Sequence, residues 1–260
     1  MTTSWIDLLS AAISGGIILK VLDILYSELK LKSEASKSAK ALMNKHLDPI
    51  LKATDELVAK INSLAVGDFS QLPTLASSAG IEEQIPLTSI LYYFGEFWSR
   101  IQILRIEGIY VNLGAIESGK RLRSLIRTLE TTRIRILDRA LQRGIGESLI
   151  QERNGQLKTI TYYEFAEKYQ SSEKLRFWYK PLISALSQSV HVDVRQKILV
   201  YGAILHSLID TLDPKHLTTG IRPGWPNKLT KKSSHELKYR IFPIYLPFVK
   251  NPEKYFQTRT

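Results

Sequence analysis

The stretch ALMNKHLDPILKATDELVAKINSL, residues 41–64, indicates that the chain is helical. Its apolar residues recur three, four and seven positions apart: Leu42, Met43, Leu47, Ile50, Leu51, Leu57, Val58, Ile61 and Leu64. This spacing places them on one face of an α-helix. Asp48 precedes Pro49, and the residue before a proline disfavours helical backbone. We therefore expect two helices that meet at a bend between these residues.

An apolar segment, WIDLLSAAISGGIILKVLDILY at Trp5–Tyr26, comes before this helix. Its uncharged part, Leu8–Leu19, spans only about 18 Å, whereas the whole segment reaches about 32 Å, close to the thickness of the hydrocarbon core. An aromatic residue lies near each end, where membrane interfaces are found. Lys20 and Asp23 oppose insertion but can pair with each other. We expect one membrane-crossing helix; an amphipathic helix on a membrane or partner, and a soluble-core helix, are the alternatives.

The predicted membrane anchor consists of the large apolar and aromatic residues of this segment: Trp5, Leu8, Leu9, Ile13, Ile17, Ile18 and Tyr26. Small residues four positions apart would let identical helices approach closely in lipid. The candidates for this helix association are Ser10, Ala11, Ser14 and Gly15. Lysines follow the segment and none precedes Lys20, which predicts that the rest of the chain lies at the cytoplasmic face of the membrane.

Further helices are predicted along the chain. Residues 65–85 are rich in small and turn-forming residues and indicate a connection between helical units. Pro86 then opens an apolar stretch that predicts a core helix. The run Ile198–Ile209 has no charged residue but is too short to cross a bilayer, so it predicts a buried helix.

Two local motifs predict a hairpin and the helix that follows it. Asn154-Gly155 is a strong signal for a tight turn between two short antiparallel strands. Thr161 and Glu164 have the spacing of a capping box, in which each residue satisfies a free backbone N–H of the other at a helix start.

These patterns predict a mainly α protein, an irregular multi-helix bundle with one short β-hairpin and a Pro-rich extended C-terminal segment. Beyond residue 214, prolines alternate with aromatics and cations, and proline at this density prevents a long helix. The predicted domains are a hydrophobic N-terminal helix (1–32), a helical connector (33–66), a helical core domain (86–214) and a basic tail packed on the core (215–260).

The chain is basic, with a formal net charge of +11 and a sequence pI near 9.6. The tail from Lys215 holds ten Lys or Arg against two acids, and the run Lys120–Arg143 holds eight against Glu130 and Asp138. Such an excess favours an anionic membrane surface or a nucleic acid as partner, and a solvated helix face is the alternative reading. The candidate anion contacts are Lys120, Arg121, Arg123, Arg127, Lys231 and Lys232.

No pattern indicates catalysis. Cysteine is absent, which excludes disulfides and thiolate nucleophiles. GAIESGKR, residues 114–121, matches a phosphate loop, but Arg121 stands where Ser or Thr should bind magnesium. The His206–Asp210 pair is more typical of a structural hydrogen bond than of acid–base chemistry. We expect a non-enzymatic protein with no cofactor, no metal and no small-molecule substrate.

Three stretches resemble segments of bacterial proteins that carry a hydrophobic N-terminal helix and have no assigned activity. They are HLDPILKATDELVAKINSLAVGDF (residues 46–69), RGIGESLI (143–150) and HSLIDTLDP (206–214). The resemblance runs along residues 42–214 and includes no catalytic motif, so it transfers no functional residue. It implies a helical protein tethered to a bacterial membrane.

The favoured hypothesis is a membrane-tethered helical scaffold or effector that self-associates through its first helix, for instance in bacterial antiviral defence. The alternative is a soluble cytoplasmic protein that binds nucleic acid through its basic helices and tail. The tail aromatics among the cations would then stack on the bases of a single strand.

Overall fold

The computed structural model describes residues 5–70, 72, 81–222 and 228–257, and within these it leaves out the side chains of residues 5–21 and 81–85. The fold is mainly α, which confirms the predicted class. The helices are α1 (Trp5–Val66), α2 (Ile81–Glu107), α3 (Glu117–Leu129), α4 (Arg139–Ser148), α5 (Tyr162–Ser171), α6 (Glu173–Ser187), α7 (Val192–Leu212), α8 (Lys231–Glu236) and α9 (Phe242–Tyr245). Short 3₁₀ turns lie at Leu113–Ala115, Gln188–Val190 and Pro252–Tyr255, and the strands are β1 (Ile150–Arg153) and β2 (Gln156–Thr159).

Helix α1 continues through Pro49, so the prediction that two separate helices meet there is wrong. Proline removes one backbone donor from the helix. Here the two residues that follow, Ile50 and Leu51, are buried, and α1 packs against α2 and α7, which stabilises the helix. Pro86 likewise lies inside α2 and does not open it. In both helices, tertiary packing outweighs the local effect of proline.

The N-terminal part of α1 extends beyond the helical body. Every side chain from Leu22 to Glu34 is exposed, and Ala39 is the first buried residue described. Among the described residues, no helix combines the length and the low charge that crossing a bilayer demands. This finding contradicts the predicted membrane-spanning helix, although the side chains of residues 5–21 are not described. Within the predicted span, Lys20 and Asp23 add the cost of placing charged groups in hydrocarbon.

The predicted attachment to the membrane through a single spanning helix is corrected with it, whereas the predicted cytoplasmic location stays a prediction. Tyr26, a predicted anchor residue, is described and is 69% exposed. The other anchor residues lie outside the described side chains: Trp5, Leu8, Leu9, Ile13, Ile17 and Ile18. The same holds for the predicted helix-association residues: Ser10, Ala11, Ser14 and Gly15.

The core forms where α1, α2 and α7 meet. Every residue of Ile198–Ile209 in α7 is buried, which confirms the prediction of a buried helix. Trp98 of α2 donates its indole N–H to the hydroxyl of Tyr201 at 3.0 Å, so the polar atoms of two large buried side chains satisfy each other.

The hairpin and the capping box are both confirmed. Asn154 and Gly155 have φ values of 54° and 72°, the left-handed backbone that a tight two-residue hairpin turn requires. Arg153 pairs with Gln156 in antiparallel register across this turn. At the start of α5, the Thr161 hydroxyl accepts the N–H of Glu164, whose carboxylate accepts the N–H of Thr161 in return.

The C-terminal segment contains more helical structure than the sequence predicts. A π-helical turn at Leu237–Ile241 joins α8 to α9. Pro243 and Pro252 lie in the first turns of α9 and of the last 3₁₀ turn, where a missing N–H costs nothing. The segment packs on the body through buried apolar residues: Leu229, Leu237, Ile241, Phe242, Leu246, Val249 and Tyr255.

Asp210 anchors the end of this segment to α7. Its carboxylate accepts a hydrogen bond from the Tyr255 hydroxyl at 2.5 Å and lies 2.5 Å from the Lys254 ammonium. The rings of His206 and His216 approach it at 3.6 and 3.5 Å. Burial lowers the pKa of His206, which favours the neutral ring at pH 7. Several polar groups from α7 and the C-terminal segment therefore converge on one carboxylate, as in a structural anchor.

We expect Tyr255→Phe to lower the free energy of unfolding by about 1–2 kcal/mol, because the carboxylate loses a donor while the ring still packs. Urea denaturation measures this change. Tyr239→Phe is the control, since Tyr239 is 53% exposed and is expected to change stability little. Equal losses in the two variants would contradict the anchor.

Asp213 closes the end of α7 and gives a pH test. Burial alone would raise the pKa of Asp213, but its carboxylate accepts the backbone N–H groups of Leu217, Thr218 and Thr219 at 2.8–2.9 Å, and the net pKa lies below its ordinary value. The ionised form therefore adds stability above the unfolded pKa of about 3.9, and that stability is lost as pH falls through the lower folded pKa.

We expect Asp213→Asn to be less stable than the natural chain at pH 7, with a difference that narrows as the pH is lowered below about 4. Chemical denaturation at a series of pH values measures both quantities. A difference that is independent of pH would show that the charge of Asp213 contributes nothing.

Candidate anion-binding site

Helix α3 turns two arginines away from the core. Its buried face consists of Leu122, Leu125, Ile126 and Leu129. Arg123 and Arg127, four residues apart, are exposed on the other face and therefore lie one above the other. The amphipathic pattern of the helix thus sets the direction of both guanidinium groups.

Helix α4 brings two more arginines to the same region. Asp138 caps its first turn by accepting the N–H of Ala140 at 2.8 Å. Gly146 lies against α2, where an added Cβ would come within 2.8 Å of the Trp98 carbonyl carbon. This close approach places Arg139 and Arg143, both exposed, on the side of α4 that faces α2 and α3.

A groove of about 780 Å³ opens where α2, α3, α4 and the residues around α9 meet. We call it the arginine groove, because five arginines and one glutamate carry the charges of its lining. Ile244 and Tyr245 form an apolar wall, with 64% and 38% of their surfaces exposed. The arginines are Arg105, Arg123, Arg127, Arg139 and Arg143.

Glu130 holds one end of the groove together. Glu130 is buried, with 8% of its surface exposed, and its carboxylate accepts a hydrogen bond from Arg105 at 2.6 Å. Arg139 and Arg143 approach the other carboxylate oxygen at 3.5 and 4.0 Å. One buried negative charge therefore binds Arg105 and attracts Arg139 and Arg143, and the groove keeps an excess of four positive charges.

Arg123 and Arg127 are the uncompensated cations of the groove. Among the described side chains, neither has a carboxylate within 4.0 Å. Behind the groove, a cavity of only about 20 Å³ reaches Trp98 and Tyr201, which is room for about one water molecule. A ligand would therefore lie along the groove and not in a deep pocket.

The structure brings together only two of the six predicted anion contacts, Arg123 and Arg127. Arg121 donates to Glu117 at 3.0 Å and lies in a different cavity of about 280 Å³, beside Phe248. The other three are exposed outside the arginine groove: Lys120, Lys231 and Lys232.

The remaining arginines and the glutamate of the groove were not among the predicted anion contacts. Arg139 and Arg143 lie within the basic run and could have been selected by their spacing of four on one short helix. Arg105 and Glu130 have no local signal, because only the packing of α2 against α3 and α4 brings them into contact.

The phosphate-loop match does not form such a loop. The turn before α3 is a 3₁₀ turn and not the end of a strand, and α3 begins at Glu117, two residues before the second glycine. An added Cβ at Gly119 would fall 2.2 Å from the carbonyl oxygen of Leu113, so this glycine serves packing. In the described part of the chain, no group of three His, Asp or Glu side chains is arranged to hold a metal ion.

We expect Glu130→Gln to lower the free energy of unfolding by about 1–3 kcal/mol, because three guanidinium groups lose their shared counter-charge. Added sulfate should restore more stability to this variant than to the natural chain, since the anion replaces the missing charge. Thermal unfolding over a sulfate series measures both effects. The control is Glu117→Gln, an exposed partner of Arg121, which we expect to change stability by less than about 0.5 kcal/mol.

Comparisons of the chain with models of known protein families, with curated proteins and with solved structures give no significant match. The proposed function therefore rests on the arginine groove.

Proposed function

We propose that this protein binds single-stranded nucleic acid along the arginine groove. The proposal rests on one observation: five arginines line one groove with a single carboxylate among them. Guanidinium groups bind phosphate oxygens in pairs of parallel hydrogen bonds and stay charged at every physiological pH. The remaining positive charge of the chain adds a long-range attraction for a polyanion.

The shape of the groove favours a strand over a small anion. The arginines come from three separate helices, and the space behind them is too small for a ligand. A chain of phosphates passing Arg123 and Arg127 and reaching Arg139 and Arg143 would contact successive cations. This arrangement suits a repeating polyanion.

The apolar wall favours a single strand over a duplex. Tyr245 is partly exposed and lines the groove beside the arginines. Aromatic side chains bind single strands by stacking on unpaired bases, and in a duplex those faces are occupied by neighbouring bases.

The double variant Arg123→Ala/Arg127→Ala tests the phosphate contacts. We expect the affinity for a labelled oligothymidylate to fall at least tenfold at low salt. The slope of log K against log salt should shrink by about 1.4, because two phosphate contacts are lost on a single strand. Fluorescence anisotropy over a salt series measures both quantities.

The matched control is Lys231→Ala/Lys232→Ala, which removes the same charge outside the arginine groove. We expect this variant to keep most of the affinity of the natural chain. Equal losses in the two double variants would show that only net charge matters, and absence of binding at low salt would refute the proposal.

Substitution of Tyr245 tests the stacking contact. Tyr245→Ala should weaken binding about five- to hundredfold, whereas Tyr245→Phe should keep the affinity, because both aromatic rings offer a stacking face. A duplex of the same length should bind more weakly and respond less to Tyr245→Ala. Identical behaviour of duplex and single strand would contradict the predicted preference.

A further inference from the structure

The segment Leu22–Glu34 of α1, which we call the exposed segment, has all its side chains in solvent. Six large apolar residues lie on it, each 50–69% exposed: Leu22, Ile24, Leu25, Tyr26, Leu29 and Leu31. Large apolar side chains that are scattered singly on a surface are ordinary, but a dense group of them marks an interaction site. The helical body does not cover this surface, so the partner comes from outside it.

Five of the six apolar residues form two stripes on different faces of the helix, and Tyr26 lies about 40° beyond Leu22 at the edge of the first. With about 100° per residue, Leu22, Leu25 and Leu29 fall within an arc of about 60° and have the three–four spacing of a helix–helix seam. Ile24 and Leu31 are seven residues apart and centre about 140° away from that seam. The segment therefore offers a first stripe and a second stripe that face two different neighbours.

The charge of the segment is suited to contact with copies of itself. Leu22–Glu34 contains three acids and two lysines, a net charge of −1, whereas the whole chain carries +11. Two copies of the basic body repel each other, whereas their exposed segments, each close to neutral, repel each other only weakly. The same near-neutral charge makes this segment a poor surface for nucleic acid or anionic lipid.

We propose that copies of this chain associate in parallel through the exposed segment, with the first stripe of one copy against the second stripe of the next. Parallel copies in equal register present the two stripes at the same height, and their bodies then lie at the same end of the helices. Each helix contacts two neighbours through different faces. Such head-to-tail contacts close into a ring, so the assembly contains at least three copies.

Two variants of the full chain test this arrangement. The first, Leu22→Gln/Leu25→Gln/Leu29→Gln, removes the first stripe, and the second, Ile24→Gln/Leu31→Gln, removes the second stripe. Sedimentation velocity over a range of concentrations should show an assembly of three or more copies for the natural chain and monomers for each variant. These substitutions touch no residue of the body, so circular dichroism should report the same helical fold in all three proteins.

A mixture of the two variants tests whether the first stripe binds the second. Each variant keeps one intact stripe, so an equimolar mixture should form one-to-one pairs and stop there. The matched control, Lys30→Gln/Glu34→Gln, changes the polar flank of the same segment and should keep the full assembly.

Other results would overturn the proposal. A second-stripe variant that still forms a stable dimer would mean that the first stripe pairs with itself across a two-fold axis. A natural chain that stays monomeric in buffer would refute self-association, and its co-sedimentation with phosphatidylcholine vesicles would then identify lipid as the partner.

Discussion

The structure depends on the close packing of helices around Trp98. Its indole binds Tyr201 of α7, its ring lies 5.3 Å from that of Phe94, and its backbone leaves space for no more than a hydrogen at Gly146 of α4. Because α4 lies this near to α2, the arginines of both helices can reach one carboxylate. A larger residue at position 146 would move α4 outward and separate Arg139 and Arg143 from Glu130. The groove is thus a product of the core beneath it.

Local signals in the sequence predicted local structure well. The hairpin turn and the capping box each require particular residues at fixed spacing, so their geometry could be read directly. Proline was misleading at positions 49 and 86. The predictions used the backbone preferences of proline and of the residue before it, and the packing around these turns outweighs those preferences. In the tail, proline density was taken as a sign of extended chain, whereas Pro243 and Pro252 occupy helix starts.

The sequence pattern predicts only part of the arginine groove. The pattern of α3 separates Arg123 and Arg127 from the apolar face, and this separation is visible in the sequence. The partners of Glu130 come from α2 and α4, and no spacing rule connects residues that distant. The predicted membrane helix failed for a different reason. Apolar content was counted over Trp5–Tyr26, and the charges of Lys20 and Asp23 within it were accepted as a tolerable cost.

The uninterrupted length of α1 would let several copies of the chain bind one nucleic acid strand together. One continuous helix joins the exposed segment to the body that carries the arginine groove, so the two are connected without a flexible linker. Copies gathered by their helices would hold their grooves side by side at a fixed spacing. A long strand captured by one groove would meet the next at a raised local concentration, and modest contacts would add up to tight, avid binding.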